Sequence, residues 1–431
     1  MRLTEAKNAS KITISRNKRS LKETTQMSVF ILAITALLLS LGVFTNIVSA
    51  AVEPPETARQ TVGRVCSQCH AVEVNGLCVS GDCKSRGVHR AQNRDWATVL
   101  SWMREAFDCK MTDGELKTIT RYLTDLSPLK QPYPYTWKRA GAMPVGWNIV
   151  SLTSHDGAIY AGIEGGGRIY RSTDGSKWLQ VASTHQLTVY GIAYLKGALY
   201  AGTNDPKPEI WKSPDGLNWA LAAELPADDR GVISLGLFKG DLYAGTAKSR
   251  VYRSPDGEKW EKAATLEETP AAGFGHWVRF LVEFKGALYA GIESGKLYRT
   301  EDGTRWTEIA PEVTRSTGVR GAAVFGDALY VGTTRNGQIW HTKDGLTWTK
   351  VFDATTRRGS ERYVASMGVY RNALYAGISG FVFRTTDGSD WEEVGNLSPF
   401  TIESMASFGD SLYAGTTMPP HGWIYRTEAS N

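Results

Sequence analysis

The sequence predicts a multidomain chain: a small all-α domain, then an all-β ring of seven four-stranded units, behind an N-terminal apolar helix. Three observations carry the ring. Trp137, Trp178, Trp219, Trp260, Trp306, Trp348 and Trp391 recur at intervals of 41 to 46 residues. A Leu-Tyr-Ala-Gly phrase recurs with small variations, its tyrosine at 160, 200, 243, 289, 330, 375 and 413. Between six of these phrases and the next tryptophan stands an aromatic strand ending in an Asp-Gly turn, as in VYRSPDGEKW. Four-strand units at this period are the mark of a seven-bladed β-propeller.

The chain opens with charge. At 431 residues with 14 Trp and 44 Gly it has room for two or three turn-rich domains, and its formal charge is +5. Residues 1–26 carry seven basic and two acidic side chains, so the rest holds 42 of each sign. A nucleic-acid partner is not implied. Residues 27–48 are apolar and uncharged, long enough to span a bilayer with the basic residues on the cytoplasmic side. Val48-Ser49-Ala50 offers small residues of the kind a signal peptidase cuts after. Residues 1–50 therefore read as a basic leader with a transmembrane anchor, or as a signal peptide cleaved near Ala50. Either way the remainder is periplasmic or otherwise extracytoplasmic, and membrane contact is through this helix.

The second element, residues 56–127, turns on Cys66-Ser67-Gln68-Cys69-His70. Two thiols three positions apart, with an imidazole directly after, form the pattern of covalent haem c attachment. Cys66 and Cys69 would bond the two vinyl groups of one haem, and His70 would ligate its iron. A zinc site drawing on Cys78 with Cys83 or His89 is the competing reading. Cys78 and Cys83 could instead close a short disulfide, leaving one cysteine of the three with Cys109 odd. Lys84, Arg86, His89, Arg90 and Arg94 read as a solvated basic loop or a docking face. Asp95 caps a helix with Trp96, Leu100, Met103 and Phe107 on one stripe. Thr112 opens another, with Glu115 completing a capping box and Leu116, Ile119, Tyr122, Leu123 and Leu126 as its apolar face, ended by Pro128.

The Trp96-x-x-x-Leu100-x-x-Met103 block and the closing helix with Tyr122-Leu123 resemble small class I cytochrome c domains. That resemblance, over about 70 residues, implies a methionine as sixth iron ligand. Met103 is the favoured ligand from its place on the stripe. Met111, just before the closing helix, and His89 are the alternatives, and Met111 has a packing role beside Leu116.

Residues 128–134 form a Pro-rich linker, and 135–431 form the propeller. In the third unit Val232–Phe238 leads, Leu242–Gly245 returns, Val251–Ser254 follows, and Trp260–Ala263 closes after the Asp256-Gly257 turn. The tryptophan is large enough to plug the gap between units. The last unit ends at Thr427 without a fourth strand, and Tyr135–Ala140 looks like that strand. Both chain ends would thus share one blade, leaving no open edge. The Ser/Thr-x-Asp-Gly-x-x-Trp turns resemble, one residue shorter, the Asp-box of sialidases and BNR-repeat propellers. There the box is a structural turn, and seven blades in place of six carry no glycosidase chemistry over.

Aligning the innermost strands on their last residue places Arg279, Arg320 and Glu403 together, five positions back. Arg230 and Arg362 fall eight back, with His276 beside them. These residues could ring one mouth as a cationic site for a small anionic ligand or a protein. The expected function is electron transfer with a redox protein partner, the propeller serving as docking or ligand-binding module. The alternatives are an oxidoreductase whose propeller substrate reduces the haem, and a haem-based sensor or surface-binding protein.

Overall fold

A computed structural model describes residues 60–61, 72–74, 77–80, 89–90, 100, 112–126, 135–142, 148–268, 276–310, 313, 318–354, 363–397, 401–417 and 422–429. The apolar segment 27–48, the linker, Cys66, Cys69, His70, Met103, Met111, Cys83, Cys109 and Arg362 lie outside them. Among the described residues no helix is long and apolar enough to cross a membrane.

In the first domain the closing helix, α1 (Asp113–Leu126), forms where its cap predicts. The Thr112 amide donates to Glu115 Oε2 (2.7 Å), and the Glu115 amide donates to Thr112 Oγ1 (3.2 Å). Two first-turn donors are thereby satisfied reciprocally. Ile119 on its apolar face is fully buried, as is the helical residue Leu100. The expectation of an all-α domain needs correcting ahead of both. Strands β1 (Val72–Val74) and β2 (Leu77–Ser80) pair antiparallel, and β3 (His89–Arg90) pairs parallel to β1. Asn75-Gly76, the sequence that best supports a two-residue hairpin, stands between β1 and β2, and Val72, Val74 and Val79 favour extended backbone. His89 thus belongs to a strand and not to the expected loop.

The rest is seven four-stranded blades. Blades 1 to 6 span 148–183, 188–224, 232–265, 278–309, 319–353 and 364–396. Blade 7 takes three strands from 401–429, and its outermost is β4 (Tyr135–Ala142). β4 pairs antiparallel with Trp423–Ala429, with Trp137 opposite Thr427, so the shared closing blade is present.

The two repeated phrases hold neighbouring blades together. In each second strand the tyrosine is buried, and in six of the seven its hydroxyl lies against the Asp-Gly turn of the next blade. Tyr200 of blade 2 meets Gly257 of blade 3, and Tyr413 of blade 7 meets Gly175 of blade 1, which closes the circle. The tryptophans point the other way. Trp178 of blade 1 lies on Gly141 in β4, and Trp137 in β4 lies on Gly395 of blade 6, its Nε1 donating to the Val394 carbonyl (3.4 Å). The turn itself is a hydrogen-bonded box. Asp256 Oδ1 accepts from the amides of Glu258 and Lys259 (both 2.9 Å), while the Gly257 amide donates to Ser254 Oγ (2.8 Å). The Lys259 amide, then that of Glu258, holds the Asp256 carboxyl down at about 2.

Candidate functional site at one mouth of the propeller

Each blade's innermost strand carries one β-bulge, always at the same level. The register with the second strand skips Val150, Tyr190, Ile233, Arg279, Arg320, Ala365 and Glu403 in blades 1 to 7. A bulge re-aims its side chain, and here the seven make one layer near the mouth opposite the Asp-box turns. Two contacts skip a blade, as only side chains reaching across the centre can. Arg320 of blade 5 donates through Nη2 to Glu403 Oε2 of blade 7, past the small Ala365. The Tyr190 ring of blade 2 meets Trp277, at the entry to blade 4, edge-on at 5.2 Å.

The aligned positions Arg279, Arg320 and Glu403 are therefore brought together as the sequence predicts. Their electrostatics differ from the expected cationic mouth. Arg279 donates through Nε (2.8 Å) and Nη2 to Glu293 Oε2, with its guanidinium 4.3 Å from the Trp277 ring centre. Both arginines thus have carboxylate partners, and buried charges are kept only in such company. Burial, then the nearby Arg320 charge, holds the Arg279 guanidinium below its usual value. Burial, then the Glu164 carboxylate, pushes the Tyr190 phenol up to about 12.

Of the residues eight positions back, Arg230 and His276 do not join this layer. Arg230 is exposed and left-handed (φ 63°) after a short turn at Ala227–Asp229. His276 Nδ1 lies 3.1 Å from Glu267 Oε2, which also accepts from Ser294 Oγ (2.9 Å). Among the described residues no group of three or more His, Cys, Asp or Glu is placed to hold a metal.

Tyr190 was not among the expected residues, although it stands five positions before Leu195, the end of its own strand. Beside it runs a row that joins blades 7, 1 and 2. Thr417 opposes Asn148, Asn148 opposes Glu164, Glu164 opposes Thr188, and Thr188 opposes Asn204, which bridges to Gly231 just before blade 3. Directly opposed residues project from the same face, about 5 Å apart. Asn148 Nδ2 indeed donates to Glu164 Oε2. Past the end of the row, Lys248 is 6% exposed and its Nζ has no hydrogen-bond partner among the described residues.

No protein-family model matches the chain, and no curated protein matches it. Solved structures do. Virginiamycin B lyase from Staphylococcus aureus is similar with a TM-score of 0.55 at 14% identity, covering 68% of this chain and 99% of that one. YCF48 bound to D1 peptide gives 0.52 at 15% identity over 70% and 98%. The WD40 repeats of RRP9 give 0.52 at 12% over 69% and 99%. All three are β-propellers. At such identities the likeness shows the fold, and the mouth residues above are argued from this chain alone.

Proposed function

We propose that the chain is an extracytoplasmic c-type cytochrome that passes single electrons to and from a redox protein, with the propeller as its docking and ligand-recognition module. The observation that carries this reading is Cys66-Ser67-Gln68-Cys69-His70. Its donor set fits haem c: two thiols for the two vinyl groups and an imidazole for the iron. Leu100 and Ile119 are withdrawn from water, as a pocket for an apolar macrocycle requires. Cys66 and Cys69 would hold the group, His70 would be one iron ligand, and Met103 the other. Bound there, haem supplies one-electron chemistry. The basic residues before 27–48 would hold that helix in the cytoplasmic membrane, unless the leader is cleaved near Ala50.

Denaturing acid–organic extraction tests the attachment. Haem should stay on the polypeptide, and replacing Cys66 and Cys69 together with alanine should release it. Free haem from the native chain, or covalent haem on the double variant, would sink the reading. Met103→Ala should lower the reduction potential and open the iron to carbon monoxide, whereas Met111→Ala should leave both unchanged. The reverse pattern moves the ligand to Met111, and two unchanged spectra point to His89.

A second reading, in which a small substrate at the propeller reduces the haem, is favoured by the layer of Tyr190, Arg279, Arg320 and Glu403. Haem reduction on adding that substrate, and its loss in Tyr190→Phe, would support it over docking alone.

A further inference from the structure

The row across blades 7, 1 and 2 presents buried oxygen atoms that no described residue meets. Thr188 and Asn204 are 1% and 5% exposed. Thr188 Oγ1, Asn204 Oδ1 and Asn148 Oδ1 are buried without a hydrogen-bond partner among the described residues. Each such atom costs on the order of 1–3 kcal/mol when left unmet, so three along one row mark a place that a donor fills. Glu164 stands at the centre of the row. One of its oxygens takes the Asn148 amide, and no cation pairs with it among the described residues. Two other carboxylates at this mouth, Glu293 and Glu403, are answered by Arg279 and Arg320. Tyr190 is two residues beyond Thr188 of the row, at its strand's bulge, with its ring edge-on to Trp277, and Glu164 is the leading charge that acts on it.

We infer that this mouth binds a small organic amine in its ammonium form. Its three N–H groups donate to Glu164 and to the Asn148 and Thr188 oxygens on either side of it in the row. Its alkyl part lies against the Tyr190 ring, which also favours a cation over its face. The sign is opposite to that of the anionic ligand expected from the arginines, because their charge is already spent on glutamates. Binding here involves propeller residues only, so it holds whether or not haem is attached at Cys66 and Cys69.

Calorimetric titration of the full chain tests it with three probes of one carbon skeleton: isoamylamine, L-leucine and isocaproate. Isoamylamine should bind saturably and isocaproate should give no heat of binding. Glu164→Gln keeps an acceptor for the Asn148 amide but loses the charge. It should weaken the amine about 10- to 100-fold, as expected for a charge-assisted hydrogen bond, with no fall in melting temperature. If that variant proves unstable, Thr188→Val removes a single acceptor and should also weaken the amine. No heat with any probe would mean that water alone fills the row, and would overturn the proposal. So would tighter binding of L-leucine or isocaproate, which would hand the site to the guanidinium groups. Amine binding that appears only in Lys248→Met would show that the chain's own buried ammonium occupies the row, and would overturn it equally.

Discussion

A β-carbon placed on Gly257 would lie 2.3 Å from the Tyr200 hydroxyl, and the glycine's φ is 81°. Gly257→Ala should therefore cost about 2–4 kcal/mol, from left-handed strain plus overpacking, read as a lower denaturant midpoint. Adding Tyr200→Phe removes the nearest of the atoms that the new carbon meets, leaving ring carbons Cε1 and Cζ at 2.8 Å, and should return part of the loss. No recovery would mean that backbone strain and the ring itself carry the effect. The mouth offers a second residue-level test. The Glu403 side chain is only 10% exposed, so Arg320→Gln leaves a carboxylate without its partner and should cost about 3 kcal/mol. Arg320→Gln with Glu403→Gln should be close to neutral. Equal losses in the single and double variants would show that the pair is not coupled. Legibility also differs residue by residue. Arg279, Arg320 and Glu403 were readable because strands of near-equal length align on their last residue. Tyr190 obeys the same alignment but its strand ends in leucine, without the aromatic that marks the others. Glu164 ends a second strand and Glu293 directly follows one, and no spacing in the sequence says which neighbour they face.

At the scale of one element, the Asp-box turn couples the fold to pH. In all six boxes the aspartate accepts two backbone amides, and its carboxyl is held below the ordinary range. A folded value below the unfolded one contributes stability that is full above about pH 4 and is lost as pH falls through the folded value. Melting temperature followed by circular dichroism should thus be flat downward to about pH 4, then drop toward pH 2. Asp256→Asn should shrink that drop, and an unchanged acid limb would detach it from the boxes. Turn and cap chemistry of this kind is local, which is why these boxes and the Thr112–Glu115 cap were legible. The bulges were not, since a skipped residue shows only against its partner strand. β1 to β3 were missed for a simpler reason: short strands beside a motif that drew a helical reading.

For the whole molecule, ring closure is the decisive property. Removing residues 1–140 takes most of β4 and its Trp137 from blade 7, whereas removing 1–130 leaves both. The longer deletion should melt about 10 °C lower, the shift expected for a few kcal/mol in a domain of this size. Equal melting temperatures would show that blade 7 stands without β4. The blade count and the shared closure were readable because they are sums over seven copies, in which errors at one copy cancel. The chemistry at the mouth comes from the departures between copies, and each departure occurs once.

Closure by β4 also sets a timetable for biosynthesis. Tyr135–Ala142 leaves the ribosome long before its partner Trp423–Ala429, a delay on the order of tens of seconds at ordinary elongation rates. Throughout it the strand has an unmet edge, free to pair with the same strand of another nascent chain. Holding the newborn protein apart from its copies until the last thirty or so residues arrive is thus a demand that this architecture places on the cell.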